Sequence, residues 1–300
     1  MRKILILITL LAGAASAAAQ GHRSYDCYRT IDKIKVDGKL TEASWAQAPL
    51  SEPFVDIRGV DFQPAPTKQT HMKMVWDDEC LYIAGIIEED DVTASLKERD
   101  AIIYRDNDFE IFLDPDGDGK FYFEFECNAF GTLMDLIMDK PYNEGGNFFM
   151  PWDCKNIRLK AHVDGKINNA KKTDKGWTVE WAIPFESLSI GFDSPRKFNP
   201  WRINFSRVEW LVKEGPEENW VWNPTGEVNM HMPARWGYLH FVDAPLSTAK
   251  WWASSRFSSA SPGKTGSDSP PPSPASSPSM MRRSWISARP TSTPPCPSDS

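Results

Sequence analysis

Asp106-Asn107-Asp108-Phe109-Glu110-Ile111-Phe112-Leu113-Asp114 runs through Pro115-Asp116-Gly117-Asp118-Gly119 into Lys120-Phe121-Tyr122-Phe123-Glu124-Phe125-Glu126-Cys127-Asn128. The pattern is two strands joined by an acidic turn. Phe109, Ile111 and Leu113 share one face of the first strand, and Phe121, Phe123, Phe125 and Cys127 share one face of the second. Asp106, Asp108 and Glu110 stand on the other face, opposite Glu124, Glu126 and Asn128. A period of two with one apolar and one polar face predicts half-buried antiparallel strands. Folding about Gly117 sets Glu110 beside Glu124 and Asp108 beside Glu126. Like charges placed opposite one another cost roughly 0.2–1 kcal/mol per pair. A chain that keeps them needs a cation, an arginine or a ligand to satisfy them.

The same alternation recurs on both sides of this hairpin. Residues 71–76 and 81–88 form a strand pair about Asp77-Asp78-Glu79, with Met72, Met74 and Trp76 on one face. A short helical turn capped by Thr41 tucks Trp45 inward, and another turn is expected over 94–99. Residues 132–138 extend the hairpin, 157–163 and 166–168 form a further one, and 177–184, 201–207 and 236–242 supply later strands. The segment 140–153 is a long surface loop, of the kind that often carries function. Many short strands, close turn signals and little helix predict an all-β antiparallel sandwich of jelly-roll type.

The chain has 300 residues, 13 of them Trp, and a formal net charge of -7. That charge argues against a nucleic-acid partner, which requires a basic stripe. Arg2 and Lys3 precede an apolar run over 4–11 and small residues to Ala19, the pattern of a secretory signal peptide over 1–19. The run is short of the about 20 residues a membrane span needs. The expectation is therefore a secreted or periplasmic protein, off the membrane once the signal is removed. Cys27, Cys80, Cys127, Cys154 and Cys296 have no CxxC spacing. Export permits disulfides, but the pairing stays open, and Cys127 alternates with core phenylalanines as a buried thiol would. The body is expected to span 20–242. From 243 to 300 Ser, Pro, Ala and Thr dominate, which reads as a disordered tail or as the product of a frameshift.

Several of these stretches, in order, resemble a family 9 carbohydrate-binding module. They are Val36-Asp37-Gly38-Lys39-Leu40-Thr41-Glu42-Ala43-Ser44-Trp45, Met74-Val75-Trp76-Asp77-Asp78-Glu79-Cys80-Leu81-Tyr82-Ile83-Ala84, the strand 106–114, Gly176-Trp177-Thr178-Val179-Glu180-Trp181-Ala182-Ile183-Pro184 and Trp236-Gly237-Tyr238. The resemblance covers roughly residues 30–242 and implies a DOMON-like β-sandwich that binds an oligo- or polysaccharide without cleaving it, in support of polysaccharide breakdown. It further implies an aromatic platform at Tyr104, a sugar-contacting carboxylate at Glu110 and a polar contact at Asn128. A second platform is implied in the loop holding Trp220, Trp222 and His231. Glu126 stands where the family has arginine. Sugars present apolar C–H faces and many hydroxyls, so flat rings with polar neighbours suit them. Glu180, Arg202 and Asn204 extend the polar sheet face.

Three further readings attach to particular residues. Asp114, Asp116 and Asp118 before Gly119 match the opening of a calcium loop, although the closing glutamate is absent and a hairpin turn explains the same residues. A carboxylate pair on the hairpin is also the apparatus of a glycoside hydrolase. Heme, bound by DOMON-like relatives, would draw ligands from His71, Met72, Met74, Met230, His231 and Met232, where alternating methionines also read as core.

Overall fold

The computed structural model describes residues 21–171, 173–190, 194–211 and 215–245. The expected signal peptide and the tail beyond Pro245 lie outside the described residues. Thirteen strands are present among them: β1 (Ser24–Arg29), β2 (Val55–Asp56), β3 (Thr70–Trp76), β4 (Cys80–Ile87), β5 (Asp108–Asp114), β6 (Tyr122–Asn128), β7 (Leu133–Met138), β8 (Phe148–Phe149), β9 (Arg158–Asp164), β10 (Gly176–Pro184), β11 (Trp201–Glu209), β12 (Glu218–Val221) and β13 (Gly237–Pro245). One short helix, α1 (Ala43–Gln47), precedes β2.

The strands form a continuous ladder, β8-β7-β6-β5-β11-β13-β1-β3-β4-β10-β9, with β12 and β2 branching from β11. Pairing is antiparallel except where β1 runs parallel to both β13 and β3. The ladder folds over so that its two halves face each other. A Cβ on Gly85 of β4 would meet Phe109 of β5 at 3.1 Å, and the rings of Phe125 (β6) and Trp181 (β10) lie 6.4 Å apart. Between the layers pack Phe109, Ile111 and Leu113 with Phe123, Phe125 and Cys127, facing Met72, Met74 and Trp76 and the inward residues of β10. Each such large apolar side chain contributes roughly 1.5–3 kcal/mol on burial. This is the β-sandwich that the alternation predicts.

The structure corrects several local expectations. β5 and β6 are buried along their whole length rather than half-buried, because loops cover the outer, polar face as well. Their register also differs: Glu110 pairs with Glu126, Asp108 with Asn128 and Phe112 with Glu124. The turn is a broad loop rather than a tight fold about Gly117. Asp114 holds it by accepting the Gly117 N–H at 3.0 Å and the Gly119 N–H at 2.9 Å, and the pivot moves by one residue.

Thr41 does not cap α1. Asp32 does so from outside, accepting the N–H groups of Ala43 (2.8 Å) and Ser44 (3.1 Å). No helix forms over 94–99, since Asp106 takes the N–H groups of Ser95 and Leu96. Residues 166–168 do not pair back on β9, whose partner is β10. Asn168 is instead bonded to Val92 and Ala94. Cys27, Cys80, Cys127 and Cys154 are free and buried, and Cys296 lies outside the described residues. β13 continues three residues past the expected boundary at Val242.

Candidate functional site

The outward side chains of β5, β6 and β7 do not reach open solvent. They form the floor of a cleft of about 680 Å³. Glu110 comes from β5, Glu124 and Glu126 from β6, and Met134 and Leu136 from β7. Alternation alone puts all of them on one face. The walls come from distant segments: the turn Ile103–Arg105, the long loop with Tyr142 and Phe148, the loop ending in His231, and Glu217 and Asn219 at the start of β12, with Ile57 and Val208 beside them. Tyr104, Tyr142 and Phe148 are 41%, 46% and 54% exposed, so their rings are open to a ligand.

The Tyr104 backbone is fixed at both ends. Its N–H donates to Glu126 Oε2 at 3.1 Å, and its carbonyl accepts the Trp210 indole N–H at 2.9 Å. His231 Nδ1 lies 3.0 Å from the Tyr122 hydroxyl, and Nε2 lies 3.9 Å from Glu124 Oε2. With the phenol donating to Nδ1, the imidazole proton sits on Nε2 and faces the carboxylate. The Tyr142 ring meets the His231 ring edge-on at 4.5 Å.

Burial dominates the electrostatics. It pushes the Glu110 carboxyl up to about 7. It pushes Glu124 up to about 8, with the Glu110 charge adding to the effect. Glu126 and Asp108 are raised for the same two reasons. Desolvation lowers His231 to about 4, so its imidazole is neutral near pH 7. Arg105 is the other basic residue of the lining, and it is exposed. The cleft thus offers three open aromatic rings over a floor of buried, acceptor-rich carboxyl groups.

Of the residues singled out in the sequence, Tyr104, Glu110 and His231 come together here. The others stand elsewhere. Asn128 is fully buried and spends its amide internally: Nδ2 donates to the Leu96 carbonyl and Asp106 Oδ2, and Oδ1 accepts from Phe130 and Thr132. No hydrogen-bonding capacity is left on Nδ2 for a ligand. Trp220 and Trp222 are 0% exposed, anchored by their indole N–H groups to Glu218 and Glu52, so neither forms a platform. Arg202 donates to the Trp236 carbonyl at 2.8 Å and stacks 4.1 Å over Tyr238, away from the cleft lining.

Asn204 is buried against Asn223. Glu180 lies on β10 and accepts the Trp45 indole N–H at 2.7 Å and the N–H groups of Asp37 and Gly38. Asp114, Asp116 and Asp118 do bring carboxylate oxygens within 4.8 Å of one another, but each also caps a backbone N–H of its own turn. Met72 and Met74 are core residues, and His71 is bonded to the Ser51 carbonyl. Met230 and His231 line the cleft.

Tyr142 and Phe148 were missed individually, although the loop that holds them was marked by its length. Residues 36–244 match the family model described as carbohydrate family 9 binding domain-like. The chain belongs to this family. Solved structures agree with that fold. A carbohydrate binding module family 9 (CBM9) from Caldicellulosiruptor kristjanssonii in complex with glucose is 14% identical, with a TM-score of 0.52, covering 73% of this chain and 96% of the other. The same organism's module in complex with cellotriose is also 14% identical, with a TM-score of 0.50 over 73% and 94%. The "putative carbohydrate-binding protein" of Bacteroides uniformis ATCC 8492 is 18% identical, with a TM-score of 0.56 over 74% and 100%. Among curated proteins none matches significantly.

Within the family 9 pattern, the Glu180 contacts give its opening motif a physical role. They tie the Val36–Trp45 stretch to β10, where Glu180 lies. Gly38 sits at φ +83°, and a Cβ there would stand 2.8 Å from the His162 nitrogen, so only glycine fits.

Proposed function

We propose that this protein is an exported, non-catalytic saccharide-binding protein that serves polysaccharide recognition, with the cleft over β5–β7 as its binding site. The observation that carries the reading is the half-exposed Tyr104 ring, on a backbone held by hydrogen bonds at both ends, lining the same cleft of about 680 Å³ as Glu110. Small ligands are generally held in clefts of this size by apolar walls and a few convergent polar groups. Tyr104, Tyr142 and Phe148 supply faces for sugar C–H groups, and the floor carboxyls accept hydroxyl protons. The family 9 membership and the saccharide complexes of its structural neighbours support the same class of ligand.

A glycan array and affinity electrophoresis on soluble polysaccharides test this. Tyr104→Ala should abolish retention without changing the circular dichroism spectrum or melting temperature. Equal retention by the variant, or a silent array with the parent protein, overturns the reading. The raised Glu110 and Glu124 carboxyls favour a second reading, general acid catalysis of glycoside cleavage. Release of nitrophenol from aryl glycosides, lost in Glu124→Gln, would establish it.

A further inference from the structure

Asp108, Glu110 and Glu126 each bring a carboxylate oxygen within 4.8 Å of the other two, and all three are buried. Their second contacts leave a specific set of atoms free. Asp108 Oδ1 accepts the Val208 N–H at 2.8 Å, and Glu126 Oε2 accepts the Tyr104 N–H at 3.1 Å. Asp108 Oδ2 is buried in a side chain that is 0% exposed, and no N–H or hydroxyl donor reaches it; its close neighbour is the Glu110 carboxyl. A buried carboxylate oxygen without a donor keeps its full desolvation penalty. Glu124 adds a fourth buried carboxyl near Glu110 and Glu126. The His231 imidazole stands 3.9 Å from Glu124 Oε2.

We infer that Asp108, Glu110 and Glu126 form a binding site for one divalent cation at the floor of the cleft, with calcium as the best-fitting ion. The donors are all hard oxygens, which suit calcium over softer metals. Oxygens around one calcium lie about 2.3–2.6 Å from it, so a mutual spacing within 4.8 Å can surround a single ion. A proton shared between Asp108 and Glu110 would satisfy that pair and leave Glu126 to be neutralised separately, whereas one ion serves all three at a shared point. Glu110 and Glu126 also line the cleft, which gives the ion a route in and leaves coordination positions toward the ligand space. If the saccharide reading holds, sugar hydroxyls would complete that coordination.

Protein stripped with EDTA and titrated with calcium chloride in a calorimeter, without sugar, tests the site. One calcium per chain is expected, with Asp108→Asn and Glu126→Gln each weakening it at least tenfold and Asp114→Asn leaving it unchanged. Crystals of the unmodified protein soaked in manganese chloride should show an anomalous peak between Asp108 Oδ2, Glu110 and Glu126, which keeps the test open where a variant fails to fold. No calcium uptake, loss of uptake only in Asp114→Asn, or a peak only at the 114–118 turn overturns the inference. Calcium uptake with a glycan array silent in both calcium and EDTA leaves the ion site standing and removes the saccharide reading. Sugar retention without calcium uptake does the reverse.

Discussion

At the level of single residues, Glu180 shows how a sequence motif and a binding site part company. Its alternation on β10 suggested a polar surface, yet its two oxygens accept three N–H groups, from Asp37, Gly38 and the Trp45 indole. Glu180→Ala would leave those donors partly buried and unpaired, at about 1–3 kcal/mol. Trp45→Phe removes one of the same contacts. The two changes share a partner, so their effects on urea unfolding should fall short of additivity by at least about 0.5 kcal/mol. Strict additivity would show that Glu180 does not hold the motif. Asn128 tells the same story. All of its hydrogen bonds go to the Leu96–Asp106 and Phe130–Thr132 segments. Asn128→Ala should therefore lower the melting temperature, while any loss of saccharide retention should be smaller than that of Tyr104→Ala at a temperature where both variants are folded.

At the level of elements, the strands were legible because period-two alternation fixes which face each residue takes. Phe109, Ile111 and Leu113 face the core as the pattern requires. The hairpin register was not legible, because it depends on how Asp114 folds the turn through two backbone N–H groups, and no pattern in the strands encodes that. A second feature hidden from the sequence is the junction between the end of β11 and the segment after β4. Arg207, 0% exposed, reaches Glu209 and the Glu88 carbonyl, and lies 3.6 Å from Glu89. Glu89 in turn accepts from Asn107 at 2.7 Å and from the Trp177 indole at 3.1 Å. Removing one partner of a buried ion group strands the others, at about 3–5 kcal/mol. Arg207→Leu should shift the urea midpoint accordingly, whereas replacing Arg207, Glu89 and Glu209 together with apolar residues of similar size should cost much less. Equal losses for the single and triple changes would contradict this account of the junction.

At the level of the whole molecule, the site was half legible. Its floor comes from one hairpin, so Glu110, Glu124 and Glu126 stand out in the sequence as like charges on one face. Its walls come from turns and loops near residues 104, 142–148 and 231, which only the closed sandwich brings together. Trp220 and Trp222 read as platforms for the same reason: composition marks an aromatic loop but not which rings the core absorbs. The acidic floor also sets how stability responds to pH. Glu110 (about 7), Glu124 (about 8), Glu126 and Asp108 all titrate higher in the folded protein than in the unfolded chain, where carboxyls titrate near about 4. Their contribution is complete below the unfolded values and is lost as pH rises to and through the folded ones, because over that range the unfolded chain has released protons that the folded state still holds. His231, lowered to about 4, acts in the opposite direction between about 6.5 and 4. Four carboxyls outweigh one imidazole. In EDTA the melting temperature should therefore fall between about pH 5 and pH 8, most steeply up to about pH 7, where all four carboxyls are protonated in the folded protein alone, and level off above about 8. Glu124→Gln should flatten that slope by removing one of the raised carboxyls, and calcium should flatten it in the unmodified protein by taking the place of the protons. A melting temperature that stays level or rises across this range in EDTA would mean that the floor carboxyls are already ionised and paired in the folded protein.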